Sequence, residues 1–105
     1  MKTSELTGAA LDWAVAKCEG LRTYVEVVEG FKPSTDWAQG GSIIEREKIE
    51  WMWLPAPDKK NQYGARKPSF SGAMDGPTVL IAAMRCYVAS KLGDDVELPA
   101  ELLGE

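Results

Sequence analysis

Residues 76–93 read "GPTVLIAAMRCYVASKLG", and the reading of this stretch decides the fold. Pro77 suits the first helical position, where an amide has no intrahelical partner to lose. Gly93 supplies a C-terminal stop, and Lys91 sits at the negative end of the helix dipole. Between them, Leu80, Ile81, Ala83, Met84, Tyr87, Val88 and Leu92 make the helix apolar nearly all round. Such a helix is buried on more than one side. It needs a sheet on one flank and, on the other, either a second helix or a second subunit.

Upstream, residues 7–19, "TGAALDWAVAKCE", supply that second helix: Leu11, Ala14, Val15 and Cys18 follow the 3.6-residue period on one face. Thr7 is the expected N-cap, and Gly20 ends the helix. Residues 22–28, "RTYVEVV", are β-branched and aromatic and read as a strand, closed by Gly30 and Pro33. Ser42 to Glu45 fits a capping box, predicting a short helix over 43–48. Residues 49–54 alternate, with Ile49, Trp51 and Trp53 on one face and Glu50, Met52 and Leu54 on the other, as in a strand. Residues 55–69 carry Pro55, Pro57, Gly64 and Pro68 among basic residues and read as a solvated loop, followed by a short strand near 67–71. The acidic tail is anchored by Val96 and Leu98. The expected architecture is one α+β domain spanning 1–105. It has a small antiparallel sheet of about three strands, two longer helices packed on one face, and a short helix after a Gly-Gly loop.

Composition narrows the function classes. The chain has 105 residues, 45% apolar and 27% charged, as in ordinary globular domains. A net charge of −4 disfavours binding of duplex nucleic acid through phosphates. No segment approaches the ~20 apolar residues of a membrane span, and the N-terminal residues carry no signal-peptide pattern. Cys18 and Cys86 read as buried thiols of a cytosolic protein. Histidine is absent, which removes the commonest general base and the commonest zinc ligand. No metal, no cofactor and no enzymatic activity is expected.

The candidate site lies at 34–42, "STDWAQGGS". Ser34, Thr35 and Asp36 are N-capping types, so a single helical turn over Asp36 to Gln39 is expected, ended by Gly40 and Gly41. Free amides at a helix starting on Ser42, beside two glycines, would suit an anion. Trp37 either pins this loop to the core or stays half exposed and stacks on a planar ring. Arg85, alone on its apolar helix, either pairs with Asp12 or holds an anionic ligand.

Three blocks, "SELTGAALDWAVAKCEG", "PSTDWAQGGSIIERE" and "GPTVLIAAMRCYVASKLG", together resemble the NinX-like family of small proteins from lambdoid phages and prophages. They cover about half the chain, in family order and spacing. Ser42 and Val79 stand where that family typically has prolines, and the segment between Trp53 and Ser71 diverges. The resemblance implies a phage accessory protein made in the bacterial host cytoplasm and implies no particular activity. By analogy, small phage accessory proteins often counter host defences by binding a host protein or a nucleotide signal.

The leading expectation is a non-enzymatic binding protein for a small anionic, nucleotide-like ligand, held by Ser34, Thr35, Asp36, Trp37, Gln39, Gly40, Gly41, Ser42 and Arg85. The alternative is a protein–protein inhibitor of a host factor, acting through an acidic, aromatic surface. Self-association, most simply as a homodimer, is expected from the apolar final helix.

Overall fold

The computed structural model describes residues 1–21, 30–55 and 60–102. Within them run a 3-10 turn at Thr3–Glu5, α1 (Gly8–Cys18), α2 (Trp37–Glu47), β1 (Glu50–Trp53), β2 (Tyr63–Lys67), β3 (Phe70–Gly76), α3 (Val79–Leu92) and a 3-10 turn at Ala100–Leu102. The strands form one antiparallel sheet in the order β1-β2-β3. The architecture is therefore α+β, as the sequence predicts. The strand expected at 22–28 lies outside the described residues.

α3 is the centre of the molecule. Leu80 and every residue from Ala82 to Ala89 are buried, and the helix packs on all three strands and on both other helices. The sheet, α1 and α2 cover its apolar faces within one chain. Its N-cap is Thr78, whose hydroxyl oxygen accepts the Ile81 amide at 3.1 Å, so Pro77 precedes the helix rather than opening it. Gly76 lets β3 run against α3: a Cβ there would lie 2.8 Å from the Ala82 nitrogen. α1 matches expectation, with Leu11, Ala14 and Val15 fully buried and Gly20 left-handed at φ +79°.

Two expectations are corrected. Residues 63–67 form the central strand rather than part of a loop. Local propensity could not show this, because Gly64 and Ala65 are poor strand formers. Ala65 is fully buried beneath α3, and β1 and β3 pair on either side of it. Pro68 and Ser69 then make the turn between Lys67 and Phe70, which pair.

The second correction concerns α2. It starts at Trp37, six residues before the expected short helix, and Asp36 caps it by accepting the Ala38 amide at 3.0 Å. Gly40 and Gly41 lie inside the helix, and the Ser42 hydroxyl donates to the Ala38 carbonyl instead of capping. Each mid-helix glycine costs about 1 kcal/mol relative to alanine. For Gly40 the offset is close packing: a Cβ would meet the Pro33 carbonyl oxygen at 2.4 Å and Leu80 Cδ2 at 2.6 Å.

At the far end of α2 an ion network ties four elements together. Arg46 grips Glu19 with Nη1 and Nη2 at 3.1 and 2.5 Å, Lys67 meets Glu47 at 2.8 Å, and the Tyr87 hydroxyl donates to Glu19 at 2.5 Å. Hydrogen bonds from Arg46 to Glu19, and from Lys67 to Glu47, hold both carboxyls below the usual glutamate range. Burial pushes the Asp12 carboxyl the other way.

Gly40→Ala should destabilise by about 1–3 kcal/mol, whereas Gly41→Ala, which meets only Trp37 at 3.6 Å, should be neutral or stabilising. Urea unfolding of both variants checks this, and equal effects would remove the close packing of Gly40 on Pro33 and Leu80. The network sets the acid limit. Carboxyls with depressed folded values contribute full stability above the unfolded glutamate value of about 4.3 and lose it as pH falls below. The urea midpoint should therefore drop below about pH 4, and Glu47→Gln should flatten that drop, since Asp12 acts in the opposite sense.

Candidate functional site

α2 and α3 begin side by side, because Gly40 brings the first turn of α2 onto Leu80. Between these helix starts and the beginning of β2 lies an open groove of about 460 Å³. Ser34, Thr35 and Trp37 form one wall, Gln62 and Tyr63 another, and α3 from Thr78 to Ile81 the third.

The first wall is held from both sides. Pro33 and Ser34 are buried, and the Ser34 amide donates to Asp12 Oδ1 on α1 at 2.9 Å. The Lys32 amide donates to Gln39 Oε1 at 2.9 Å, while Gln39 Nε2 donates to the Gly30 carbonyl and to Asp36 Oδ2. This bracing fixes the helix entry and so places Trp37 at the groove mouth. Its ring lies against Gly41 and remains 54% exposed. The ring is therefore half exposed rather than pinned into the core.

Two further features mark the groove. The Ser34 hydroxyl is fully buried and has no hydrogen-bond partner. Burial raises the neighbouring Asp12 carboxyl, and Ser34 partly offsets that rise. At the third wall, Thr78 satisfies Ile81 and Ala82, and the Val79 and Leu80 amides belong to the first helical turn, which has no intrahelical acceptor. A helix N-terminus with a neutral cap attracts negative charge.

The aromatic surface continues beyond the groove. Trp53 and Trp51 stand edge-on to Tyr63, with centroids 5.6 and 6.4 Å away. Their register with Tyr63 and Ala65 puts them on the α3 side of the sheet, but they overhang its edge and are 60% and 49% exposed.

Of the nine residues expected at the site, the structure gathers Ser34, Thr35 and Trp37. Asp36 and Gln39 brace the loop, Gly40 is a packing residue, Gly41 seats the Trp37 ring, and Ser42 is bonded back along its own helix. No helix starts at Ser42, so the anion-binding entry expected there does not exist. Arg85 is elsewhere. Nε donates to the Leu6 carbonyl at 2.9 Å and Nη1 to the Asp75 carbonyl at 2.8 Å, and the residue is 5% exposed. The Arg85–Asp12 pair is not formed, because Asp12 on α1 faces the 33–34 turn while Arg85 reaches the N-terminal turn and β3. Burial lowers the guanidinium pKa, and Asp75 and Glu5 partly restore it. Sequence reasoning missed Gln62, Tyr63 and Thr78. The Thr78 cap was legible in "GPTVL"; Tyr63 lay in a stretch without strand periodicity.

Elsewhere, burial pushes both Cys18 and Cys86 thiols up to about 11, so neither is a ready nucleophile. Among the described residues, no helix is long and apolar enough to cross a membrane.

A family model described as Bacteriophage P22, NinX matches residues 2–91, and the chain belongs to that phage family. The match takes in the three strands, α1, α2 and nearly all of α3. No curated protein matches the chain.

Thermal melts separate wall from scaffold. Trp37→Ala should change stability by less than about 1 kcal/mol, since half the ring is already in water. Arg85→Ala should cost about 2–4 kcal/mol, because the buried Leu6 carbonyl and the partly buried Asp75 carbonyl lose their donor. A large loss for Trp37→Ala would return it to the scaffold.

Proposed function

We propose that this member of the phage NinX family is a non-enzymatic binding protein that holds a small anionic, nucleotide-like ligand in the groove between the starts of α2 and α3. It would act in the bacterial host cytoplasm, sequestering a host-defence signal. The observation that carries this reading is the joint presence, around one groove, of a half-exposed Trp37, the exposed Thr35 and the neutral-capped N-terminus of α3. An aromatic face stacks on a planar base, a helix start takes a negative charge, and a neutral hydroxyl reads a polar edge. The described lining residues are Ser, Thr, Trp, Gln, Tyr, Pro, Val, Leu and Ile, which favours holding a ligand over transforming one.

Exposure of Trp51 and Trp53 favours a second reading, an inhibitor that docks on a host protein through this aromatic edge. Calorimetry with a panel of nucleosides and nucleotides distinguishes the two. Micromolar or tighter binding, abolished in Trp37→Ala and kept in Trp51→Ala/Trp53→Ala, supports the groove. Silence across the panel, with a host protein retained on the wild type and lost from the Trp51/Trp53 variant, supports the inhibitor and removes the ligand.

A further inference from the structure

We infer that the aromatic edge of the sheet is the contact surface for a second copy of this chain, forming a two-fold symmetric dimer. The inference does not rest on the groove, and it gives to a second copy the rings that a host protein would otherwise use. β1 is an outer strand of the described sheet, and Trp51 and Trp53 lie two residues apart on it, so their indoles stand side by side on one face. Tyr63 on β2 meets both edge-on, at interplanar angles of 68° and 87°. Edge-on contact braces the indoles without stacking on them, and Trp51 and Trp53 stay 49% and 60% exposed. Single apolar residues scattered over a surface are ordinary, but two adjoining indoles braced by a third ring make one continuous patch.

Area and charge both favour a second copy. Together the two indoles leave in water about the area of one whole tryptophan side chain, roughly 200 Å². A two-fold axis uses that patch twice, which puts roughly 400 Å² of aromatic surface at the centre of an interface whose usual total is about 1,600 Å². Energetic anchors make up less than about a third of interface residues, so a quarter of the area in buried rings is enough for a core. The rim is self-complementary. Glu50 and Arg66 face each other in the β1–β2 register, next to Trp51 and Ala65, and pair at 3.0 Å while both side chains stay largely exposed. A two-fold axis sets residue i of one copy against residue j of the other, and j against i. An acid and a base standing together therefore meet a base and an acid, which a patch of one sign cannot do. The net charge of −4 on each chain opposes association, so the expected dimer is weak, with a dissociation constant of about 1–100 µM.

Sedimentation velocity at physiological ionic strength, from about 5 to 500 µM protein, tests this. The weight-average mass should rise with concentration from 11.5 kDa toward twice that value. Trp51→Thr/Trp53→Thr keeps strand-forming residues at both positions and should weaken association about tenfold or more, with an unchanged circular dichroism spectrum. Glu50→Arg and Arg66→Glu should each weaken it about threefold or more, because like charges then meet twice across the axis. An equimolar mixture of these two variants should recover association, since every acid again meets a base. A chain that stays at 11.5 kDa up to about 500 µM overturns the inference. So does a dimer as tight in the tryptophan variant as in the wild type, or a mixture of the two charge variants no more associated than either alone. None of these outcomes bears on the groove, whose ligand is read through Trp37→Ala.

Discussion

The burial of α3 on every side is the constraint from which the other features follow. A helix without a polar face is stable only where neighbours approach closely enough to exclude water, and side-chain bulk at the contact sets that distance. Gly76 on β3 and Gly40 on α2 remove the bulk at two such contacts, where a methyl group would collide with the Ala82 backbone or with Pro33 and Leu80. Arg85 is the buried charge on the enclosed helix, whose other charge, Lys91, sits exposed in the last turn. Arg85 survives there because it serves as a donor to two carbonyls left over where the N-terminal turn and β3 meet the helix.

The two ends of α3 have different chemistry for the same reason. Toward its C-terminal half, Tyr87 is covered by Arg46, Lys67 and Lys91, whose cationic groups lie within 6 Å of its ring, and Glu19 accepts its hydroxyl. Charges there are mutually satisfied, and the network locks α1, α2, β2 and α3 together. At the N-terminal end, the partners of α3 are a turn, a helix start and the beginning of a strand, and they leave a groove rather than a seal. Thr35 and Trp37 remain exposed at that end.

How far these features were legible depends on the range of the forces involved. The long helices were visible because their apolar periodicity repeats over several turns, and β1 because Ile49 to Leu54 alternate. The candidate wall was visible in part, since Trp37 among capping residues is locally odd. Its partners across the groove were not, because Gln62 and Tyr63 come to it only through the pairing of β2 with its neighbours.

By itself, then, the sequence determined the α+β class, the buried final helix and the kinship with a phage family, all carried by local pattern or by residues in fixed order, while the half-exposed setting of Trp37 was settled by the tertiary structure. Tertiary structure alone decided that Gly40 and Gly41 are helical, that 63–67 is the central strand, and that Arg85 serves backbone carbonyls rather than Asp12. Each of these sets a local preference against a contact made by residues distant in the chain. Glycine disfavours a helix by about 1 kcal/mol, but the packing of Gly40 on Pro33 and Leu80 outweighs that preference. Ala65 has little strand propensity of its own and gains its place from two flanking strands and a helix above it.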